Sequence, residues 1–423
     1  MQGPPTGARR AAIVATALVA ASALAGCSPT VGDLFPEAPE AVERFASLDV
    51  PSPAPAAPLE PACVPAPLEQ RAAAVLVVGL PGVTGPQDPL VHEVADLGVG
   101  GVFLSEANIR SASQVRTLVT GLRERAPGPL LVATDEESGR VSTTRALVGS
   151  GPSPRRMAAT LTPAEVRQEG AEIGRVLHDL GVDLDLAPLL DLDDGPAGTV
   201  IGDRSFSGDP ATASEYGLAF SAGLAEAGVT PTVKHFPGQG RSASDTHEGA
   251  AVVEAPLADL AATDLVPFQD AIDAGVPVVM LNHVEYDALD PGVPASMSPA
   301  AYALLRDLGF EGVAITDSVG MGAVNLRWDF PEAAVRAVGA GADAVLTTDG
   351  RQATRMRDAL VAAVHEGRLP EERLSEAAAR VTALAGGDPV AVSCLAVDLP
   401  RLDPPELVEA QPATPGTAGE VEG

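Results

Sequence analysis

The chain has 423 residues, of which 57 are Asp or Glu and 27 are Lys or Arg, so its formal net charge at pH 7 is −30. An acidic balance of this size argues against a nucleic-acid partner, because such binding requires a basic surface. Hydrophobic residues make up 46% of the chain and aromatic residues only 3%, so a large core must be built from Ala, Val and Leu.

Residues 1–26 have the pattern of a signal peptide. Arg9 and Arg10 precede a short apolar run that ends in Leu-Ala-Gly-Cys at Cys27, and the run is too short for a membrane-spanning helix with its flanks. The ending resembles the bacterial lipobox, which implies cleavage before Cys27 and lipidation of its thiol. Ordinary signal cleavage with a free Cys27 is the alternative. The sequence therefore predicts an exported protein on the outer side of the cytoplasmic membrane, held there by a lipid anchor only.

Composition divides the rest of the chain into three segments. Residues 27–62 are rich in Pro and Ala and are predicted to form a tether. Residues 63–395 carry regular apolar patterns and are predicted to form a single catalytic domain. Residues 396–423 are acidic and Pro-rich, which is typical of a disordered tail.

Two further cysteines, Cys63 and Cys394, lie at opposite ends of the patterned region. Export would place them where disulfides form. Their positions favour a disulfide that ties the two ends of the domain together, and two buried free thiols are the alternative.

The patterned region contains eight short apolar runs that alternate with stretches of helix formers such as 163–180 and 299–308. Buried strands that alternate with helices predict a parallel sheet, and eight such units favour a (β/α)8 barrel over the alternative, an open doubly wound sheet. The predicted strands are 74–80, 101–104, 130–134, 183–187, 230–234, 276–281, 312–316 and 342–346.

Charged residues follow most of these strands, among them Asp135, Lys234, His235 and Asp317. In a barrel of this type the carboxyl ends of the strands meet at one face, which is where the active site lies. Helix capping would explain some of the acids, but it explains neither the histidines nor Lys234, the only lysine in the chain.

Three of these residues indicate a particular chemistry. Asp317 stands in a turn of small residues after the seventh strand, a setting that suits a nucleophile. Asp245 and His247 are two positions apart on a loop rich in Ser and Gly, so that the aspartate can orient the imidazole for proton transfer. A nucleophilic carboxylate with an acid/base group is the machinery of a retaining glycosidase.

Lys-His-Phe-Pro-Gly-x-Gly at 234–240, Asp-x-His at 245–247 and Thr-Asp-x-x-x-Met-Gly-Ala at 316–323 together resemble glycoside hydrolase family 3. The ordered motifs extend over roughly residues 70–350. Within the family the chain resembles the β-N-acetylhexosaminidase branch, which trims N-acetylglucosamine from cell-wall fragments.

The resemblance implies a retaining β-N-acetylglucosaminidase that acts on peptidoglycan fragments through a covalent glycosyl-enzyme. Asp317 would be the nucleophile, and His247, paired with Asp245, the general acid/base. Four side chains would hold the sugar hydroxyls: Asp135, Arg204, Lys234 and His235. We expect a monomer whose partner is a carbohydrate. The histidines lack the spacing of metal ligands, so we expect neither a metal nor another cofactor.

The chain departs from the family pattern at three positions. Gln239 replaces the second histidine of Lys-His-Phe-Pro-Gly-His-Gly, and Ser138 replaces a glycine. Thr143 stands where a sugar-binding arginine is usual, and Arg145, two residues later, reaches the site only if the loop is rearranged.

Two other functions are compatible with these residues. A phosphorylase could use the same groups, because a histidine acid/base does not repel phosphate as a carboxylate would. A lipoprotein that binds the cell wall without catalysis, on a degenerate barrel, belongs to another class, and the departures near Ser138 and Thr143 keep it open.

Overall fold

The computed structural model describes residues 63–242 and 244–403. The predicted signal peptide, Cys27, the tether and most of the predicted tail therefore lie outside the described residues. Within the described ranges, no helix combines the length and the apolar character needed to cross a membrane.

Eight parallel strands form the centre of the fold, and all eight correspond to strands predicted from the sequence. The strands are β1 Leu76–Gly79, β2 Gly101–Leu104, β3 Leu131–Thr134, β4 Leu184–Asp185, β5 Thr230–Phe236, β6 Val278–Leu281, β7 Val313–Thr316 and β8 Val345–Thr347. Each pairs with its neighbours in the order β7-β6-β5-β4-β3-β2-β1-β8, and a bridge between Ile315 and Ala344 brings the two outer strands together. The prediction of a (β/α)8 barrel is thereby confirmed.

Alternate residues of each strand face opposite sides of the barrel wall, as the two-residue period of a strand requires. Val77 packs with Leu131 and Ile315 in the barrel interior, whereas its neighbours Leu76 and Val78 pack outward against the helices. Because both faces are covered, the strands are apolar throughout.

Helices cover the outside of the barrel, and several begin at side-chain caps. The predicted helix at 163–180 has these bounds because Thr162 and Glu165 cap its start and Gly181, in the left-handed region at φ 86°, ends it. The helices are α1 Leu68–Ala74, α2 Pro89–Leu97, α3 Ala112–Arg125, α4 Arg145–Val148, α5 Pro154–Thr160, α6 Pro163–Leu180, α7 Pro210–Glu226, α8 Leu257–Ala262, α9 Val266–Asp273, α10 Pro299–Asp307, α11 Gly322–Asn325, α12 Phe330–Ala340, α13 Ala353–His365, α14 Glu371–Leu384 and α15 Pro389–Ser393.

The two ends of the domain meet below the barrel. A disulfide joins Cys63 to Cys394, with 5.8 Å between their Cα atoms.

The tail was expected from residue 396, but residues 396–403, although without helix or strand, lie against the barrel. Leu399 packs on the interior cluster, and the backbone N–H of Asp403 donates to the carbonyl of Ala274 at 2.8 Å. An apolar side chain and a satisfied backbone donor attach this part of the segment despite its proline content.

Candidate active site

A polar cavity of about 90 Å³ opens at the carboxyl ends of the strands. The barrel closes its floor, since Met280 of β6 and Leu346 of β8 belong to the interior cluster beneath it. The cavity is therefore a pocket that is closed at its base and open at the carboxyl ends of the strands. Six residues that the sequence analysis selected line it: Asp135, Arg204, Lys234, His235, His247 and Asp317.

Larger grooves lie elsewhere on the barrel. The largest, about 760 Å³, lies beside α2 and α3, and one of about 530 Å³ lies at the opposite end, beneath the segment 397–402. Neither includes a strand's carboxyl end, where catalytic side chains of this fold lie. The small cavity is the candidate site because charged and polar side chains at the carboxyl ends of the strands line it.

Lys234, at the end of β5, lies between two carboxylates. Its ammonium nitrogen is 2.6 Å from Asp135 Oδ1 and 2.6 Å from Glu137 Oε1, and its side chain is only 2% exposed. Burial would lower the pKa of Lys234, but the two acids raise it, so the group stays charged. The peptide bonds Lys234–His235 and Phe236–Pro237 are cis.

Glu137 connects Lys234 to Arg204. Arg204 makes a two-pronged contact with it, in which Nε and Nη2 each donate at 2.7 Å. Burial would raise the pKa of Glu137, but Arg204 and Lys234 lower it to about 2. Sequence reasoning omitted Glu137 from the site, although its place in the Asp-Glu-Glu run directly after β3 was an available signal. It positions the two cations that face the cavity.

His235 is oriented by a buried carboxylate. Its Nδ1 lies 2.6 Å from Asp191 Oδ2, and Asp191 also accepts the backbone N–H of Gln239 through Oδ1 at 2.6 Å. Since a carboxylate only accepts hydrogen bonds, Nδ1 donates and Nε2 is the nitrogen left for the cavity. Asp191 was not among the site residues predicted from the sequence.

Asp317 follows β7 and is half-buried at the cavity wall. Its Oδ1 accepts the backbone N–H of Ser318 at 2.7 Å, which leaves Oδ2 for a substrate. Burial would raise the pKa of Asp317, but His283, His235, this N–H and Lys234 outweigh it and lower the pKa. The carboxylate is therefore ionised at neutral pH.

His283 fixes the backbone beside Asp317. Its Nε2 donates to the carbonyl of Ser318 at 2.9 Å, and its Nδ1 is 2.6 Å from Ser296 Oγ. Burial lowers the pKa of His283 more than Asp317 raises it, so the ring is neutral and its role is to hold the turn. His283 was not among the site residues predicted from the sequence.

His247 approaches the cavity from the loop after β5. Its Nδ1 is 2.8 Å from Asp245 Oδ1, and the imidazole is 68% exposed. Burial would raise the pKa of Asp245, but the bonds from the backbone and ring of His247 lower it. Asp245 therefore holds the ring with Nε2 available for proton transfer, without lining the cavity itself.

Two of the three departures from the family pattern, Ser138 and Thr143, make hydrogen bonds in the fold. Ser138 has φ 69°, a conformation that favours glycine, and its hydroxyl lies within hydrogen-bond distance of the carbonyls of Ser150 and Pro152. Thr143 is buried, and its hydroxyl donates to the carbonyl of Asp135 at 2.6 Å. Arg145 binds the carbonyls of Ser142 and Arg140 and does not reach the cavity.

The chain is similar to known proteins in both sequence and fold. Residues 68–384 match the family model described as glycosyl hydrolase family 3 N terminal domain. A β-hexosaminidase of Mycobacterium tuberculosis, LpqI, is 37% identical over 391 residues, which cover 89% of this chain and 96% of that protein.

Two solved structures extend the comparison. A glycosyl hydrolase of the same family from Mycobacterium smegmatis has a TM-score of 0.71 and 39% identity, over 75% of this chain and 97% of that chain. A family 3 β-N-acetylglucosaminidase from Paenibacillus has a TM-score of 0.72 and 32% identity, over 79% of this chain and 65% of that chain. Similarity thus extends from the sequence to the barrel.

Proposed function

This chain belongs to glycosyl hydrolase family 3 and is a glycosidase of the β-hexosaminidase type, and from this we propose that it is a retaining β-N-acetylglucosaminidase that removes terminal N-acetylglucosamine from peptidoglycan fragments. The observation that carries the proposal is that Asp317 and His247 line one cavity whose other walls hold polar groups suited to a sugar. A non-catalytic role would not account for an ionised carboxylate and an oriented imidazole at one pocket.

In the first step Asp317 attacks the anomeric carbon through its free Oδ2, and the bond from that carbon to the leaving oxygen breaks. His247 Nε2–H gives its proton to the leaving oxygen while Asp245 stabilises the ring through Nδ1. The product is an ester between the sugar and Asp317, with the aglycone released as an alcohol.

In the second step water attacks the anomeric carbon, and neutral His247 Nε2 takes its proton. The ester bond to Asp317 breaks, so the carboxylate is restored and the sugar leaves with its original β configuration. Two inversions at one carbon give retention, and each step uses the same two residues.

The pocket supports action on a terminal sugar. Its floor is closed by the barrel core, so a chain cannot extend through it. Asp135 and the charged Lys234 offer an acceptor and a donor to sugar hydroxyls, and bonds to charged groups are strong. The proposal assigns Arg204 and His235 to the same task.

The substrate assignment is supported by the relatives and by the N-terminus. The M. tuberculosis relative is named a β-hexosaminidase, and the Paenibacillus structure is titled a β-N-acetylglucosaminidase. The lipobox-like segment ending at Cys27 would deliver the enzyme to the outer side of the cytoplasmic membrane, where peptidoglycan fragments are released.

The test is trapping of the glycosyl-enzyme. An activated 2-fluoro glycoside should glycosylate Asp317 with loss of its leaving group, and peptide mass spectrometry should locate the label there. Asp317→Asn should lose turnover and labelling while keeping the wild-type unfolding midpoint. Labelling of another residue, or near-normal turnover by Asp317→Asn, would contradict the assignment.

Two further measurements define the reaction. His247→Ala should slow an aryl β-N-acetylglucosaminide with a poor leaving group by about 10²–10⁴-fold and one with a good leaving group far less. Products are analysed with and without phosphate. Release of a sugar phosphate at a phosphate-dependent rate would indicate a phosphorylase in place of the hydrolase.

A further inference from the structure

Gln239 lies between β5, which carries Lys234 and His235, and the loop that carries His247. It is only 3% exposed, and its backbone N–H donates to Asp191 at 2.6 Å, the carboxylate that also orients His235. The side chain of Gln239 lines the cavity. Its backbone is therefore attached to the fixed part of the site.

The carboxamide of Gln239 reaches toward the loop. Its Nε2 is 3.4 Å from Thr246 Oγ1, a long hydrogen bond between two buried side chains. Within residues 63–242 and 244–403, this is the only hydrogen bond of that hydroxyl. Thr246 directly precedes His247, so the contact ends one residue from the proposed acid/base.

Two backbone contacts hold the same part of the loop. The N–H of Ala323 donates to Thr246 O at 3.0 Å, and the N–H of Gly322 donates to His247 O at 3.1 Å. The approach is close, since a Cβ at position 322 would lie 2.6 Å from that carbonyl oxygen. Both donors lie at the start of α11, shortly after Asp317.

The ring of His247 has little other support, because it is 68% exposed and bonded to Asp245 on its own loop. We propose that Gln239 is a positioning residue for the reaction, which holds Thr246 and thereby sets where His247 meets the leaving group. A carboxamide carries no charge at any working pH, so this contact persists where a histidine would titrate. The proposal rests on the acid/base role proposed for His247.

A double-mutant cycle tests the coupling. Gln239→Ala should slow kcat for a poor leaving group roughly 5- to 30-fold, and for a good leaving group much less. If Gln239 acts through His247, the double variant Gln239→Ala/His247→Ala should be no slower than His247→Ala alone. Losses that multiply, or equal losses on both substrates, would show that Gln239 acts on the sugar directly and would overturn the proposal.

A matched pair of threonines provides the control. Thr246→Val removes only the hydroxyl that Gln239 reaches and should reproduce the leaving-group dependence of Gln239→Ala. Thr232 is equally buried, in β5, but its hydroxyl has no partner in the described part of the chain. Thr232→Val should therefore leave both rates unchanged. Equal effects of the two valine variants would also overturn the proposal.

A measurement without turnover separates this proposal from the proposed function. Hydrogen exchange at the amides of Gly322 and Ala323, which donate to the loop, should be faster in Gln239→Ala and Thr246→Val than in Thr232→Val. If the wild-type chain hydrolyses neither substrate, the proposed function fails and the catalytic part of this proposal fails with it, whereas the exchange result still decides whether Gln239 holds the loop. Unchanged exchange at both amides in the two loop variants would contradict it.

Discussion

The ammonium nitrogen of Lys234 lies 2.6 Å from a carboxylate oxygen of Glu137, and each side chain is at most 2% exposed. A buried charge is costly unless it is paired, so each of these groups depends on the other. The only lysine of the chain therefore has a structural role in addition to the sugar contact proposed for it.

Replacing Lys234 should separate these two roles. Lys234→Met leaves Asp135 and Glu137 without their shared cation and should reduce the free energy of unfolding by about 3–5 kcal/mol. Lys234→Arg keeps the charge and should lose less stability, but its wider guanidinium should lower kcat/KM roughly 10- to 150-fold. Urea unfolding and steady-state kinetics measure the two effects. The exposed Arg175→Met is the control, with a change within about 0.5 kcal/mol.

Lowering the pH should reduce the contribution of Glu137 to the free energy of unfolding. Its pKa is about 2 in the folded protein, because Arg204 and Lys234 outweigh the effect of burial, against an ordinary value near 4.5. A lowered carboxyl pKa stabilises the fold above its unfolded value, and that stabilisation is lost as pH falls from about 4.5 through 2. The difference in unfolding free energy between wild type and Glu137→Gln should therefore shrink over this range, by on the order of 3 kcal/mol. A constant difference between pH 6 and pH 2 would be the contrary result.

The backbone conformation at position 138 should favour glycine, and the hydrogen bonds of the Ser138 hydroxyl should partly offset that preference. Ser138→Ala keeps φ at 69° but removes the bonds to Ser150 and Pro152, so it should lower stability by about 1–2 kcal/mol. Ser138→Gly loses the same bonds but adopts that φ freely, and it should be about 1 kcal/mol more stable than the alanine variant. Urea unfolding of both variants tests the order, and an alanine variant at least as stable as the glycine variant would refute it.

Asp343 should be among the most sensitive positions outside the site. It is fully buried two residues before β8 and accepts from three arginines: Arg306, Arg373 and Arg380. Asp343→Ala leaves these cations without their shared partner and should cost about 3–5 kcal/mol, measured by urea unfolding. Asp358→Ala, which breaks an exposed pair with Arg357, should change stability by less than about 1 kcal/mol. Similar losses in the two variants would contradict this ranking.

The disulfide between Cys63 and Cys394 closes a loop with a sequence separation of 331 residues. In the chain-entropy model a loop this long stabilises the fold by roughly 6 kcal/mol. Cys63→Ser/Cys394→Ser should therefore unfold at lower urea concentration, and wild type treated with reductant should behave like it. Free thiols in the oxidised, denatured domain would show that the bond does not form.

Several features could be predicted from the sequence because they depend on local pattern or on ordered motifs. All eight barrel strands were located, since apolar runs between helical stretches are a local signal. The predicted ends of the strands agreed less well with the structure. The fourth strand is only Leu184–Asp185 because the chain then leaves the sheet, touching β5 again through Leu189. Asp135, Lys234, His235 and Asp317 were selected because motif order and strand ends both indicated them, whereas Arg204 and His247 were selected from the motifs alone. The structure brings all six to one cavity.

Only the tertiary structure decided what holds those residues in place. Glu137, Asp191 and Gln239 contact residues distant in sequence, and such contacts exist only once the barrel brings the strand ends together. Ser138 and Thr143 also depart from the family pattern in the sequence, but in the fold their hydroxyls bond to backbone carbonyls. Sequence patterns carry local preference and side-chain chemistry, whereas the pairing of buried polar groups depends on distances that packing alone sets.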